Sequence, residues 1–396
     1  MRALTLSEVL GSEDEFFSEY FNRKPWLRRA AVEGDSRAVL SLGDLDHLLH
    51  AEVIRPPYID ITKGGSRVFE KTYTSQLRVQ TDYVNDAIVP EHVIEHFRTG
   101  ATITWNSLNH FLPTMRTFAG KLGERFSCRS DVVAFVTPAG RRGFSPHYDS
   151  VEVFVIQLEG TKHWKVWPTG PERPGDAQWF TMEELGEPVI ETSLEPGDVL
   201  YLPYNTPHVA ASDDNVSLHL SVMVRPRHWR DLVAEVVQSV VAADPEFGDF
   251  PLLSAEREEE LTVKLRDQLV ALSNRCAKLD LRRTVRDLVS SPIQQVGAKV
   301  GTFFADQSRI DHITSMTMVM KVPSTPIDVV GAAPEDTLRV EVNGHKFNFP
   351  RLLVEEVRTM ESARSAGRLV AEYDQDTNVQ LARACARIGL LDTVQG

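Results

Sequence analysis

Two residues near the middle of the chain, His147 and Asp149, have the types and the spacing of metal ligands. They lie in a stretch that predicts a β-strand, where residues i and i+2 point to the same face. A third candidate ligand, His208, lies further along the chain. Two histidines and one carboxylate suit iron and leave coordination positions open for a cosubstrate and O2. The three residues therefore predict a mononuclear, catalytic iron site.

The sequence around His208 makes this prediction more specific than a lone His-x-Asp, which is more often a surface pair. Pro196 and Gly197 predict a turn, and the apolar run 199–202 predicts a strand shortly before the histidine. A Pro-Gly-Asp turn, a short apolar strand and a Pro-His pair form one wall of many cupin barrels. Because strand follows strand from 147 to 224, we predict an antiparallel double-sheet barrel of the jelly-roll kind.

Lys162 lies one predicted hairpin beyond His147. Strand alternation places either Lys162, with Trp164 and Val166, or the other set of residues on the inner face. A buried lysine is costly without an anionic partner, and a dicarboxylate that binds iron through its keto acid needs a cation at its far carboxylate. We predict this role for Lys162; the alternative is an exposed lysine on the outside of the barrel.

The predicted strand 216–224 supplies further candidates, because one of its faces can line the barrel cavity. That face carries Ser217, His219, Ser221 and Met223. We place Ser221, together with Asn106, among the candidate cosubstrate contacts. We place His219, together with Tyr148, among the candidate residues of the substrate pocket.

Size and composition exclude several classes of protein. A chain of 396 residues with 42% apolar and 25% charged residues predicts two or three globular domains. The net charge of −13 argues against nucleic-acid binding and is compatible with a basic partner or simply with solubility. No apolar run is long enough for a membrane span, and the acidic N-terminus does not resemble a targeting peptide. Three widely spaced cysteines fit a reducing cytoplasm.

The pattern along the chain predicts three domains. Residues 1–226 hold N-terminal helical elements and the barrel, and residues 227–315 are predicted to form a helical domain. The apolar face of these helices is buried either against a second copy or within the chain, and the sequence leaves both open. Residues 316–396 alternate two strands, with a turn at Asn343-Gly344, and three helices over 351–360, 367–373 and 379–391. This composition suits a winged-helix-like α+β domain, and its wing is not basic, which favours docking over DNA binding.

The segments 136–167, 194–210 and 217–224 together resemble the JmjC-type ribosomal oxygenases of the cupin-4 group. These are Fe(II)- and 2-oxoglutarate-dependent hydroxylases that act on histidine or arginine of ribosomal proteins. The resemblance is dense over residues 131–224. It is consistent with the whole chain, because the family adds a helical dimerisation domain and a winged-helix domain to the barrel. It therefore favours a homodimer.

The resemblance implies a reaction and roles for individual residues. His147, Asp149 and His208 are implied as iron ligands, and Lys162 as the residue that holds the distal carboxylate of 2-oxoglutarate. The implied chemistry is decarboxylation of 2-oxoglutarate to succinate, coupled to hydroxylation of an unactivated C–H bond. The protein contributes open coordination sites, orientation and exclusion of water.

The chain departs from the family where the substrate side chain should lie. Histidine-hydroxylating members carry Asn, Tyr and Ser at positions that align with Val133, Phe135 and Met223. A pocket without those polar groups loses the hydrogen bonds that recognise an imidazole. We therefore predict another target, either a more apolar side chain or an arginine held by carboxylates elsewhere. Two other functions stay open, namely hydroxylation of a free amino acid or peptide natural product and a non-catalytic metal-binding scaffold.

Overall fold

The strands around the predicted metal site pair into two antiparallel sheets in the computed structural model. The structure describes residues 1–51, 53–290, 308–322, 325, 327–333, 336–342 and 345–394. The chain divides into two units, Met1–Val300 and Gly301–Gly396, which we describe separately. The three-domain division at 226/227 and 315/316 stays a prediction.

The strands of the first unit run from the N-terminal segment to the end of the barrel. They are β1 (Trp26–Arg28), β2 (Ile59–Lys63), β3 (Ser66–Arg67), β4 (Thr74–Val79), β5 (Asp82–Ile88), β6 (Thr102–Trp105), β7 (Arg129–Thr137), β8 (His147–Tyr148), β9 (Glu152–Glu159), β10 (Lys162–Val166), β11 (Gln178–Trp179), β12 (Ile190–Leu194), β13 (Val199–Leu202), β14 (His208–Ser212) and β15 (Ser217–Arg225).

The helices of this unit lie before, between and after the strands. The α-helices are α1 (Leu6–Leu10), α2 (Glu13–Glu15), α3 (Leu42–Leu49), α4 (Pro90–Arg98), α5 (Pro113–Phe126), α6 (Trp229–Ala243), α7 (Glu258–Cys276) and α8 (Leu281–Ser290). A π-helical turn spans Phe16–Tyr20, and short 3-10 turns span Ser36–Ala38, Glu70–Thr72, Leu108–His110, Met182–Glu184, Pro245–Phe247 and Ala255–Arg257. None of the helices in the described ranges is long and apolar enough to cross a membrane.

Two sheets build the predicted barrel. The larger sheet has the strand order β1-β13-β9-β15-β7-β6-β2-β3, and the smaller has the order β11-β8-β14-β10-β12. Sequence neighbours such as β9 and β10 lie in different sheets, as expected when strands alternate between two layers. The cupin-type, mostly β core predicted from the sequence is therefore confirmed.

Alternate residues of strand β9 pack into two different apolar cores, one on each face of the larger sheet. Val153 and Val155 pack with Trp164 of the smaller sheet in a core between the sheets. Phe154 and Ile156, on the other face, belong to the core that the larger sheet shares with the N-terminal helices. Both faces of β9 are buried, which explains why its sequence is almost continuously apolar.

The second unit contains more strand and less helix than we predicted. Its elements are β16 (Met318–Lys321), β17 (Asp328–Ala333), β18 (Thr337–Val342), β19 (His345–Pro350), α9 (Arg351–Arg358), β20 (Arg364–Ser365), a 3-10 turn at Ala366–Arg368, α10 (Gln375–Arg387) and β21 (Leu391–Thr393). The strands form two three-stranded sheets, β20-β16-β21 and β17-β18-β19. The predicted turn at Asn343-Gly344 lies outside the described residues.

The helix predicted over 367–373 is wrong, and a buried side chain explains the error. The amide of Asn378 accepts from the backbone N–H of Val370 and donates to the carbonyls of Val370 and Tyr373. These backbone groups bond to the side chain of Asn378 and not to one another in an α-helix. Asp374 then caps the N-terminus of α10. The winged-helix assignment remains a prediction.

Candidate metal centre

The three predicted ligands converge on one point between the sheets. The backbones of His147 and His208 pair directly across β8 and β14, and Asp149 follows β8 by one residue. Nε2 of His147 lies 4.0 Å from Oδ1 of Asp149, and Nε2 of His208 lies 3.7 Å from Oδ2 of Asp149. One ligand atom from each residue fits within 4.8 Å of the others. This donor set fits a borderline divalent ion such as Fe(II).

Backbone carbonyls fix the orientation of both imidazoles. Nδ1 of His147 lies 2.8 Å from the carbonyl oxygen of Ser145, and Nδ1 of His208 lies 2.9 Å from that of Thr206. Each Nδ1–H therefore donates to a backbone oxygen, which leaves the Nε2 lone pair free to face the centre. Such outer contacts commonly hold the histidine ligands of metal sites in place.

The electrostatic environment keeps His208 neutral, as metal binding requires. Burial, together with the neighbouring His147, lowers the pKa of His208 to about 4. A neutral imidazole at physiological pH can offer its lone pair without first losing a proton. Asp149 supplies the negative charge at the centre.

Lys162 is buried and points into the barrel, which is the first of the two orientations that the sequence left open. Its side chain belongs to the inner face of β10 with Trp164 and Val166. Nζ donates to Oγ1 of Thr137 at 3.2 Å, and no carboxylate of the described residues lies within 4.0 Å of it. Burial lowers the pKa of the ammonium to about 7. A buried lysine without a carboxylate is costly unless an anion joins it.

The triad and Lys162 share one cavity of about 260 Å³. Outside the metal ligands, its polar wall consists of Thr102, Lys162, His219 and Ser221. Its apolar wall includes Phe135, Val153, Val155, Trp164, Leu202 and Met223. The cavity therefore joins a metal centre to a cationic end across a mainly apolar passage.

Two aromatic residues that we did not predict from the sequence stand beside the centre. Trp179, on β11, has its ring centroid 4.8 Å from that of His147, and Phe144 lies 5.8 Å from the same imidazole. Trp179 is 53% exposed. The sequence offered one signal for Trp179, namely a large aromatic residue in a polar segment. Its position could not be predicted, because the chain before β11 is irregular.

Several other predicted site residues also line the cavity. Phe135, Met223, His219 and Ser221 all do so. His219 stacks on Phe135, with ring centroids 5.0 Å apart and an interplanar angle of 12°. These positions are compatible with the predicted contacts to cosubstrate or substrate, which remain predictions.

Three predicted site residues do not line this cavity. The amide of Asn106 donates to the carbonyl of Pro57 and to Asp60, at 2.8 and 2.9 Å, so its cosubstrate role has no support. Tyr148 follows His147 on β8 and therefore faces the opposite side, where its ring packs against Phe180 at 5.8 Å. Val133 shares a strand face with Phe135 but is buried beside Ser221, its partner in β15.

Comparison with known proteins agrees with the fold. The family model described as JmjC domain matches residues 109–232. A solved structure of YcfD, a ribosomal oxygenase from Escherichia coli, superposes with a TM-score of 0.50 at 16% identity, covering 100% of each chain. At this identity the likeness concerns the fold alone.

Curated relatives match a little more than half of this chain. The bifunctional lysine-specific demethylase and histidyl-hydroxylase NO66 of Culex quinquefasciatus is 32% identical over 228 residues, covering 56% of this chain and 34% of the relative. Ribosomal oxygenase 1 of Gallus gallus is 32% identical over 237 residues, covering 58% of this chain and 37% of the relative. The chain thus spans little more than a third of these relatives. The predicted resemblance to the JmjC-type ribosomal oxygenases is confirmed.

Proposed function

We propose that the protein is an Fe(II)- and 2-oxoglutarate-dependent dioxygenase, because the JmjC domain model matches residues 109–232 and the chain is similar to ribosomal oxygenases. Its proposed reaction is hydroxylation of a side chain in a protein or peptide. O2 is the second cosubstrate.

One observation carries this proposal: the His147, Asp149 and His208 triad shares a cavity with the buried, carboxylate-free ammonium of Lys162. A metal site alone is compatible with many functions. A cation at the far end of the same cavity fits a ligand with an acidic group at each end, and 2-oxoglutarate is such a ligand. When bound, iron would activate O2, the oxidant, and 2-oxoglutarate would be oxidised together with the substrate.

The residues of the chain bind and orient the reactants. The two histidines present Nε2, Asp149 presents a carboxylate, and Lys162 neutralises the distal carboxylate of 2-oxoglutarate. The apolar wall excludes water from the passage between them, which strengthens the interaction of Lys162 with its anion. Trp179 and Phe144, beside His147, are positioned to contact the substrate next to the reacting bond.

We propose that the target side chain is not the histidine hydroxylated by related enzymes. Phe135 and Met223 give the cavity an apolar wall where those enzymes place polar groups, and Val133 packs beside it. The only carboxylate that lines this cavity within the described ranges is Asp149, a metal ligand. An apolar side chain therefore fits better than an arginine, which needs an acidic partner.

The names of the relatives make a ribosomal protein the first substrate to test. The net charge of −13 is compatible with a basic protein of this kind. Mass spectrometry of ribosomal proteins incubated with the iron-loaded protein should show a gain of one oxygen on an apolar residue. Consistent hydroxylation of histidine would contradict the proposed pocket.

Succinate formation from 2-oxoglutarate tests the reaction class directly. We expect succinate from the iron-loaded wild type, a strong loss in His208→Ala and Lys162→Met, and no loss in His163→Ala. His163 is a matched control because it neighbours Lys162 but faces Glu191 on the outside. Absence of 2-oxoglutarate binding by the wild type would reject the proposal. Unchanged iron binding in His208→Ala would reject the ligand assignment.

The two alternatives make different predictions in these assays. Hydroxylation of a free amino acid or small peptide would give succinate without modification of any ribosomal protein. A non-catalytic scaffold would bind metal and give no succinate, and the buried Lys162 would then lack the anion that offsets its burial.

We further propose that the protein is a cytoplasmic homodimer that associates through its helical segment. Apolar side chains exposed on α6, α7 and α8 support the dimer. The role of the C-terminal unit as a docking module also remains a proposal.

A further inference from the structure

His219 is a buried imidazole whose hydrogen-bonding capacity is not used within the described structure. It lines the cavity and is 3% exposed. Its Nδ1 is buried and has no hydrogen-bond partner among the described residues. Buried polar atoms in folded proteins almost always have a partner, so an unpartnered imidazole that lines a cavity is a candidate for a ligand contact through its cavity-facing edge.

The ring of His219 is held in a fixed orientation. One face stacks on Phe135 at 5.0 Å, and Trp164 meets it edge-on at 5.7 Å and 84° between the ring planes. The pairing of β15 with β9 shifts register between Leu218 and His219. The extra residue of this shift, Leu158, lies on β9, whereas β15 pairs regularly with β7 and places His219 opposite Phe135. The imidazole is therefore preorganised rather than free to find another partner.

Strand β10 spans the distance between the metal centre and Lys162, and its Trp164 contacts His219. His208 pairs with Val166, and Lys162 precedes Val166 by four residues on the same strand. At about 3.3 Å per residue, about 13 Å of strand separates the two backbone positions. Trp164 lies midway, and its ring is 5.8 Å from that of His208. A ligand that extends from the metal centre to Lys162 lies beside Trp164, whose ring is 5.7 Å from that of His219.

Contacts on β7 place His219 at the lysine end of this passage. Nζ of Lys162 is 3.2 Å from Oγ1 of Thr137, and Phe135, two residues before Thr137 on the same face, carries the stacked imidazole. Burial, with a further contribution from the charge of Lys162, lowers the pKa of His219 well below its ordinary value. The ring is therefore neutral, with one N–H available to an anion.

We propose that His219 donates a hydrogen bond to the same 2-oxoglutarate carboxylate that Lys162 neutralises, and so helps to select 2-oxo acids that carry a second carboxylate. The inference rests on the proposed function and moves His219 from the substrate pocket to the cosubstrate site. It also accounts for a histidine, rather than a larger apolar residue, between Phe135 and Trp164.

Calorimetric titration of the full chain loaded with Mn(II) tests this without turnover. The probes are 2-oxoglutarate and pyruvate, which share the keto acid, although only 2-oxoglutarate has the distal carboxylate. In His219→Phe, which keeps an aromatic ring in the stack, we expect 2-oxoglutarate affinity to fall about 10- to 100-fold, the usual range for a hydrogen bond to a charged group. Pyruvate affinity should change less than about twofold.

Two further variants test whether the loss of affinity comes from the lost N–H donor and not from a change in packing. His219→Asn and His219→Gln place an amide N–H near Nδ1 and Nε2 respectively, and one of them should restore most of the selectivity. His163→Phe, on the outer face beside Lys162, should behave as wild type.

The outcomes separate this inference from the proposed function. An equal loss for both probes, or no loss for 2-oxoglutarate in a folded His219→Phe protein, would overturn the role of His219. If Lys162→Met nevertheless loses 2-oxoglutarate, the proposed function stands. Failure of the wild type to bind 2-oxoglutarate would instead remove the proposed function itself.

Discussion

Backbone carbonyls prepare the two ligand histidines before any metal binds. Because Ser145 and Thr206 fix the Nδ1 atoms, the Nε2 lone pairs already face Asp149. Loss of an outer contact typically lowers metal affinity by about 10- to 100-fold, and loss of a ligand should exceed that. We expect His208→Ala to lower Co(II) affinity by more than about 100-fold, measured by the visible absorption of the bound ion. His163→Ala is the control, and equal affinity in both variants would contradict the assigned centre.

The buried ammonium of Lys162 should make 2-oxoglutarate binding depend on pH. Because its pKa is lowered to about 7, the free protein holds a largely neutral Lys162 at about pH 8.5. A bound carboxylate favours the charged form, so binding takes up a proton above pH 7 and none well below it. We expect affinity to fall by up to about tenfold per pH unit above 7.

Calorimetry in buffers of different ionisation enthalpy measures this proton uptake. Pyruvate has no distal carboxylate to hold against Lys162, and it should bind without the extra proton. If 2-oxoglutarate takes up no proton at about pH 8.5, Lys162 is not the group that meets its carboxylate.

The sequence predicted those site residues whose direction follows from strand periodicity. His147 and Asp149 are two positions apart, as are Lys162 and Trp164. Because residues i and i+2 of a strand point to the same face, each pair could be predicted to share a direction. Trp179 was missed because it reaches the centre through an irregular loop. Asn106, predicted as a cosubstrate contact, lies outside the cavity because its side chain turns to Asp60, a long-range contact that local pattern does not encode.

At the scale of elements, the turn that connects β9 to β10 sets the position of Lys162. Gly160 lies in this turn with φ +61°, and a Cβ there would lie 2.0 Å from the carbonyl oxygen of Val216. We expect Gly160→Ala to reduce the free energy of unfolding by about 3 kcal/mol or more, through backbone strain and this clash. Urea unfolding measures the loss.

Gly140→Ala separates the two contributions. Gly140 has φ +65° but no atom within 4 Å of a Cβ, so this variant should cost only the about 1–2 kcal/mol of the left-handed backbone. Equal losses at Gly140 and Gly160 would show that the contact with Val216 does not constrain the turn between β9 and β10.

Prediction of the elements succeeded where burial repeats regularly and failed where a single side chain overrides local preference. Strands β7, β9 and β15 follow apolar patterns that extend over eight or nine residues. The segment 367–373 has helix-forming residues, yet Asn378 takes its backbone hydrogen bonds. The register shift at His219 is likewise invisible in the sequence, because a bulge depends on the partner strand.

At the scale of the whole molecule, the two units have separate apolar cores. The metal ligands, Lys162 and His219 all belong to the first unit. The proposed binding of metal and 2-oxoglutarate therefore needs no residue from the second unit. A contribution of the C-terminal residues would concern recognition of the substrate rather than the centre.

The exposed apolar side chains of the helical segment predict self-association. On α8, Leu281, Val285 and Val289 recur every fourth residue along one face and are 57–67% exposed. On α7, Leu265 and Leu269 have the same spacing and are 61% and 57% exposed. Rows of exposed apolar side chains of this kind are uncommon on monomers and usually mark an interface.

Replacement of Leu265 and Leu269 by glutamate should therefore disrupt the dimer, because association would bury two unpaired charges. We expect light scattering at micromolar concentration to give twice the chain mass for the wild type and the single chain mass for the double variant. Val79→Glu, at a 49% exposed position on β4, is the control and should remain dimeric. Since the proposed centre uses none of these residues, the monomeric variant should still bind Mn(II) and 2-oxoglutarate, which separates dissociation from unfolding. A monomeric wild type, or a double variant that stays dimeric, would show that these helices are not the interface.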